Sequence, residues 1–468
     1  MPLARGCVLF AVAVLAGLPV APVAAQQVGA QQTAPGGAPD RGSLRDSPNL
    51  TGDWGGARDE LARRGISVRS SLTQFYQGAI AGNTGRSFEY GGRGDIFLDV
   101  DGARAGLWDG FSIHVLGEFN YGRTPGVAGG TTIPNSTAMF FPHANETGGD
   151  LTSVFFSQRF GSNVTLMAGK MSMFDFYARG HRFSGGRGIE GFWHTAFVGP
   201  PSGFVPVAAF GAIGVLKLDP VSITAMLYDP NDALNRTGFE DPFSDGVTFR
   251  GSVDVSGTLS GLPRTDSFMV AISSEPGPDF ASSPRLAGTL TPEQRRDLVQ
   301  RLTTNALWGE RTRVPGLEDK RGRFWVGYSF EQTLWQDPGD PARAWGLFGQ
   351  VGLSDGNPSS YRWQAVGGVG GASPLPGRPH DRFGAGVFYY GYSEDLKRLL
   401  EPVVTLRDEY GAELFYNYAI TPWMRMTANA QVISPAITTR RDGPQIGNAT
   451  AASNPTVALL GLRLQIIF

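Results

Sequence analysis

The segment that most constrains the fold is the last thirteen residues, 456–468, where side-chain character alternates residue by residue. Counting back from the end, Phe468, Ile466, Leu464, Leu462 and Leu460 fall on one face of a strand. Gln465, Arg463 and Gly461 fall on the other, and Ile467 breaks the polar set. An arginine between leucines is expensive if both faces meet hydrocarbon, so the strand most simply separates a bilayer from an aqueous lumen. An edge strand of a soluble sandwich shows the same alternation, and the rest of the chain has to decide between the two.

The amino-terminus carries a matching address. Arg5, an apolar stretch over 8–18 and the small-residue end Val23-Ala24-Ala25 read as a secretory signal over 1–25, cleaved before Gln26. It is too short and wrongly flanked for a spanning helix. The only cysteine, Cys7, lies inside that segment, so the mature chain is expected to have neither disulfides nor thiolate metal sites. Residues 26–49, rich in Gln, Ala, Pro and Gly, read as a disordered lead-in, and 50–468 as one barrel domain.

Composition supports a single β-structure: 65 Gly, 30 Phe and 13 Tyr, with no later stretch of the roughly 18 uninterrupted apolar residues that a membrane helix needs. The formal net charge of −2 argues against a general affinity for nucleic acid. A short helix over 59–64 is ended by Gly65. From Ile66 the period changes to two, and sixteen strand-like segments follow, at 66–77, 95–101, 111–121, 151–160, 164–171, 204–218, 221–229, 243–256, 267–274, 322–335, 344–354, 361–371, 381–392, 411–421, 424–434 and 456–468. The expected fold class is therefore all-β: a transmembrane antiparallel β-barrel of about sixteen strands with a short N-terminal helix.

The connections sort by length. Those at 102–110, 161–163, 219–220, 257–266, 336–343, 372–380 and 422–423 are tight and fall at one end. Those at 78–94, 122–150, 172–203, 230–242, 275–321, 393–410 and 435–455 are longer and fall at the other, where only 355–360 is short. Barrels of the outer membrane sort their turns in this way, with the tight ones periplasmic, and a soluble sandwich has no reason to.

Several motifs add up to a resemblance. Gly52-Asp53-Trp54-Gly55-Gly56-Ala57-Arg58, followed by Leu61 and Gly65-Ile66, resembles the opening signature of the OprB-type carbohydrate-selective porins. Ser354-Asp355-Gly356-Asn357-Pro358, Gly367-Gly368 and Asp381-Arg382-Phe383-Gly384-Ala385-Gly386 resemble later hairpins of that family. Glu413-Leu414-Phe415-Tyr416-Asn417-Tyr418, Thr421-Pro422-Trp423 and Gln431-Val432-Ile433-Ser434-Pro435 resemble its penultimate strand pair. Ala428-Asn429-Ala430 stands where the family often has a Pro-Asp pair. The resemblance implies a monomeric barrel of the bacterial outer membrane that admits small sugars by facilitated diffusion. The terminal Phe468 resembles the signal read by the barrel-assembly machinery.

Sugar passage needs aromatic faces for C–H surfaces and charged or amide groups for hydroxyls. The loop 172–203, after the fifth strand, holds both kinds in Asp175, Tyr177, Arg179, His181, Arg182, Glu190, Phe192 and Trp193, and is the candidate constriction. An ordinary outer loop with its aromatics packed on the wall is the competing reading. Strand parity adds Glu118, Arg323, Glu331 and Arg425 as lumen-facing candidates, along with Asp99 and His114, and most of these wall charges are expected to be ion-paired.

The remaining motifs are weak. Gly352-Leu353-Ser354-Asp355-Gly356 fits a nucleophile-elbow pattern but lacks the following helix. The five histidines do not show the helical spacing of a zinc site, and no cofactor is implied. A small helix is expected after Pro292. The leading function is a passive channel for small sugars. A general or otherwise selective porin is the alternative, since function resides in the constriction. A barrel enzyme comes third, because no nucleophile has both a base and an orienting group in view.

Overall fold

The computed structural model describes residues 45–468, except 83–87, 137–146, 185–188, 200–205, 232, 284–285, 304–313, 315 and 441–454. The expected signal and most of the lead-in lie outside the described residues. The chain enters along the barrel base, where Leu50 N–H donates to Ile467 O at 2.8 Å. Helix α1 (Ala57–Arg63) follows and ends at Gly65, whose φ of +80° gives the left-handed cap that only glycine adopts freely.

Sixteen strands then close one antiparallel barrel. They are β1 (Ile66–Ala81), β2 (Phe88–Asp101), β3 (Phe111–Gly122), β4 (Gly148–Phe160), β5 (Val164–Ser172), β6 (Ala208–Leu218), β7 (Val221–Tyr228) and β8 (Thr248–Leu259). The circle continues with β9 (Leu262–Ser273), β10 (Arg323–Gln336), β11 (Ala344–Ser354), β12 (Tyr361–Ala372), β13 (Arg382–Tyr392), β14 (Glu409–Thr421), β15 (Met424–Ser434) and β16 (Val457–Ile467). Each sequence-predicted segment corresponds to one strand. β16 pairs with β1, from Ser71 opposite Ile467 to Gly78 opposite Leu460, so the sheet has no open edge.

Side chains are sorted inside out. Leu460, Leu462, Val326, Leu353, Val387 and Leu414 stand on the exposed outer face, while Arg463, Gln465, Thr427, Asn429, Gln431 and Gln364 are buried on the inner one. Stacked aromatics band the outside at both ends: Trp363, Tyr389 and Tyr410 near the long loops, Trp108, Phe111 and Phe156 near the turns.

Two connections are shorter than expected: that at 257–266 contracts to 260–261, because β8 and β9 pair as far as Leu259 opposite Leu262, and that at 78–94 contracts as well. The segment 78–94 is mostly strand, because β1 and β2 run on past the polar run and pair as far as Gly78 opposite Phe88. The connection at that point shrinks to 82–87.

The other long connections fold over the long-loop mouth or, after β5, into it. Helix α2 (Met173–Gly180) and helix α3 (Thr195–Val198) lie in the connection after β5, α4 (Leu286–Thr289) and α5 (Pro292–Thr303) in that after β9, and α6 (Glu394–Leu400) after β13. The helix expected after Pro292 is α5, started by a reciprocal capping box between Thr291 and Gln294. Leu298 and Leu302 of α5 join Leu396, Leu399, Leu400, Ile133 and Tyr392 in one apolar cluster over the long-loop mouth.

Candidate functional site

The connection after β5 lies inside the barrel. Its Phe176 packs on Phe155 of β4 with ring centroids 5.7 Å apart, and Tyr177 Oη donates to Gln350 Oε1 of β11 at 3.2 Å. Further on, the Trp193 ring meets Phe75 of β1 at 5.8 Å. A segment that touches β1, β4 and β11 can do so only by crossing the lumen.

Glycines make the seats for it. A Cβ on Gly384 would lie 2.9 Å from the Phe192 ring, one on Gly386 2.6 Å from Phe197, and one on Gly461 2.4 Å from Trp193. Phe183 sits in the same way over Gly346. The strand pattern that reads as weak propensity is therefore a row of sockets, each shaped by the missing side chain. Around them Phe348, Phe388 and Phe415 meet Phe192 and Phe197 edge-on.

The wall supplies carboxylates to the loop backbone. Glu331 accepts the N–H groups of Arg182 and Phe183, both at 2.9 Å. Glu413 accepts those of Trp193 at 2.6 Å and His194 at 2.9 Å. His194, buried at the start of α3, accepts from Ala196 N–H at 3.2 Å, and burial lowers its pKa to about 3, so the imidazole stays neutral.

The sequence-predicted residues fall into distinct roles. Phe192 and Trp193 are 1% and 0% exposed, so neither offers a face to a passing ring. The glycine sockets hold both rings against the wall. Arg182 donates to the carbonyls of Pro341 and Ala342 at 2.6 and 2.8 Å, which ties the loop to the tight turn after β10. Burial lowers its pKa, opposed by the Glu331 charge.

Tyr177 stacks on His181 with centroids 4.0 Å apart, and desolvation raises its hydroxyl pKa well above the usual value. Asp175 is buried, and Arg179 lies near the end of α2 with its side chain outside the described residues. Among the wall candidates, Glu118 pairs with Arg93, and Arg323 pairs with Glu275 at 2.7 Å. Arg425 keeps a buried Nε without a partner among the described residues, as does Arg382 of β13. Glu190 interacts electrostatically with Arg382 and Arg463, so the three charges share one region of the lumen. Glu413 and Arg382 were visible in the sequence only as members of family-like runs. Strand parity would have put both on the inner face.

A second polar cluster lies on the opposite wall. Ser157 Oγ is 3.1 Å from His114 Nε2, and His114 Nδ1 is 2.7 Å from Asp99 Oδ1. Sequence reading found no nucleophile with base and orienter, and three strands bring one together here. The backbone N–H groups beside Ser157 are taken up by the ladders to β3 and β5, so no backbone oxyanion donor faces it. Arg69 Nη2 adds a contact to Asp99 at 3.0 Å, which makes the cluster a polar rib of the wall.

A closed barrel with an apolar exterior, a polar interior and a loop folded across that interior defines an outer-membrane porin. The model of the carbohydrate-selective porins, OprB family, matches residues 85–468, and the chain belongs to that family. The high-pH structure of Pseudomonas putida OprB matches with a TM-score of 0.70 at 18% identity, over 91% of this chain and 99% of that one. Its low-pH structure matches with a TM-score of 0.50 at 13% identity over the same shares. No curated protein sequence matches the chain.

Proposed function

We propose that the protein is a passive channel of the bacterial outer membrane for small sugars, monosaccharides such as glucose above all, and that the inward loop after β5 sets its selectivity. The crossing of the lumen by that loop, from Phe155 on one side to Gln350 and Phe75 on the others, carries the reading. The half-buried guanidinium groups of Arg382 and Arg425, with Glu190 near Arg382, are the groups suited to pairing with sugar hydroxyls. The chain reaches its site through the signal at 1–25 and the assembly machinery, and acts as a monomer with its long loops outward.

Liposome swelling with monosaccharides, disaccharides and amino acids of similar size tests the reading. Faster entry of the monosaccharide than of an amino acid of equal size supports it. Equal entry makes the protein a general porin.

A further inference from the structure

Three lumenal carboxylates use their oxygens on backbone N–H groups, and together they tie down the loops after β3 and β5, with one further bond to the connection after β15. Glu331 on β10 holds Arg182 and Phe183, and Glu413 on β14 holds Trp193 and His194. Glu413 Oε1 also accepts from Asn429 Nδ2 at 2.7 Å. Glu409, four residues earlier and so on the same face of β14, accepts from Thr132 N–H at 2.8 Å, Ile133 N–H at 3.1 Å and Ala436 N–H at 3.2 Å. Among the described residues, none of the three carboxylates makes an ion pair within 4.0 Å, whereas Glu118 and Glu275 do.

The two loops also meet each other. Thr195 N–H donates to Pro134 O at 3.1 Å, and Gln431 Nε2 on β15 donates to Asn135 O at 2.9 Å. From this we infer that the lumenal face of β14 and β15 is a dock for both inward loops. Glu413 and Glu331 are the positioning residues that set the aperture made by the loop after β5, and Glu409 does the same for the loop after β3. The inference deepens the sugar-channel reading and rests on it for what the aperture discriminates.

A carboxylate suits this task because its two oxygens can each take one of two successive N–H donors, with charge strengthening both bonds. An amide has one oxygen for two donors and turns its own N–H₂ against the second. Glu413→Gln is isosteric but leaves a buried N–H unmatched, so the loop loosens while the strand ladder stays intact.

The mature chain's expected lack of cysteine provides the test. Ala196, 1% exposed beside the anchored pair, is replaced by cysteine, and reaction with a water-soluble maleimide is followed on the whole mature barrel, folded and without the signal that carries Cys7, alongside planar-bilayer conductance and its block by glucose. Adding Glu413→Gln should raise the labelling rate at least tenfold, increase conductance and weaken the block. Glu331→Gln should increase conductance by freeing the other end of the same loop. Glu60→Gln, on exposed α1, should change nothing. Unchanged labelling and conductance in a heat-modifiable Glu413→Gln barrel would overturn the inference. If labelling and conductance rise but no form of the protein distinguishes glucose from other solutes, the dock stands and the sugar reading falls. If Glu413→Gln does not fold, Glu331→Gln decides: unchanged conductance there also overturns the inference.

Discussion

At the scale of single residues, the wall has three environments, and substitution tells them apart. Leu414 and Val326 are exposed on the outer face, and arginine at either should cost about 2–4 kcal/mol near mid-membrane, read in a lipid-folding titration. Ser112, half-buried on the inner face opposite Asp101, should accept arginine with little change in the same titration. Gly461→Ala belongs to the third environment: its methyl would lie 2.4 Å from the Trp193 ring, so either ring or strand must move. That overpacking should cost about 1–3 kcal/mol and raise channel conductance as the loop is displaced. Period-two alternation made the outer and inner faces legible. It could not separate wet inner positions from covered ones. Ser329 and Thr427 look as solvated as Ser112 in sequence, yet both are buried, and Thr427 accepts from Asn417 and Arg463 of the flanking strands, contacts that a period of two does not reveal.

At the scale of elements, the strands were legible because each must satisfy the same two-faced solvent, and their count and the sorting of their turns follow from that alone. The connection expected at 78–94 shows the limit: polar and glycine residues such as Glu89, Gly91, Gly92 and Arg93 blur the alternation, yet pairing continues there. The closing strand makes its own prediction. Phe468 N–H donates to Ser70 O at 2.9 Å, fastening the end of the chain to β1. Deletion of Phe468 should lower the yield of heat-modifiable barrel in the outer membrane and leave protease-sensitive protein in the periplasm.

Helix α6 gives a pH-dependent case outside the membrane. Asp408 accepts from Lys397 at 2.9 Å, from the Tyr389 hydroxyl at 2.7 Å and from Tyr392 N–H at 3.0 Å. Burial alone would raise its carboxyl pKa, but these partners outweigh burial and hold it below the ordinary aspartate value. The stabilisation is thus complete above about pH 4 and lost as pH falls through the lowered value. Hydrogen exchange of residues 394–406 should rise on acidification through that window. Asp408→Asn should show the faster exchange already at neutral pH.

At the scale of the whole molecule, the barrel and its loop are separable. The ladder closes by backbone pairing of β1 with β16, so removing residues 182–198 should leave a heat-modifiable barrel with larger conductance and less discrimination between solutes. Loss of the barrel itself would show instead that the loop is a folding core. The seating of loop rings on wall glycines also bears on how such an aperture can be redesigned. Phe192 with Gly384, Phe197 with Gly386 and Trp193 with Gly461 are matched as key and keyway, with the two halves far apart in the gene. Libraries that vary one position at a time should therefore return leaky variants. New specificities should come from libraries that randomise both members of a pair together, a smaller ring with a side chain on its glycine, so that the loop comes to rest in a new place and stays there.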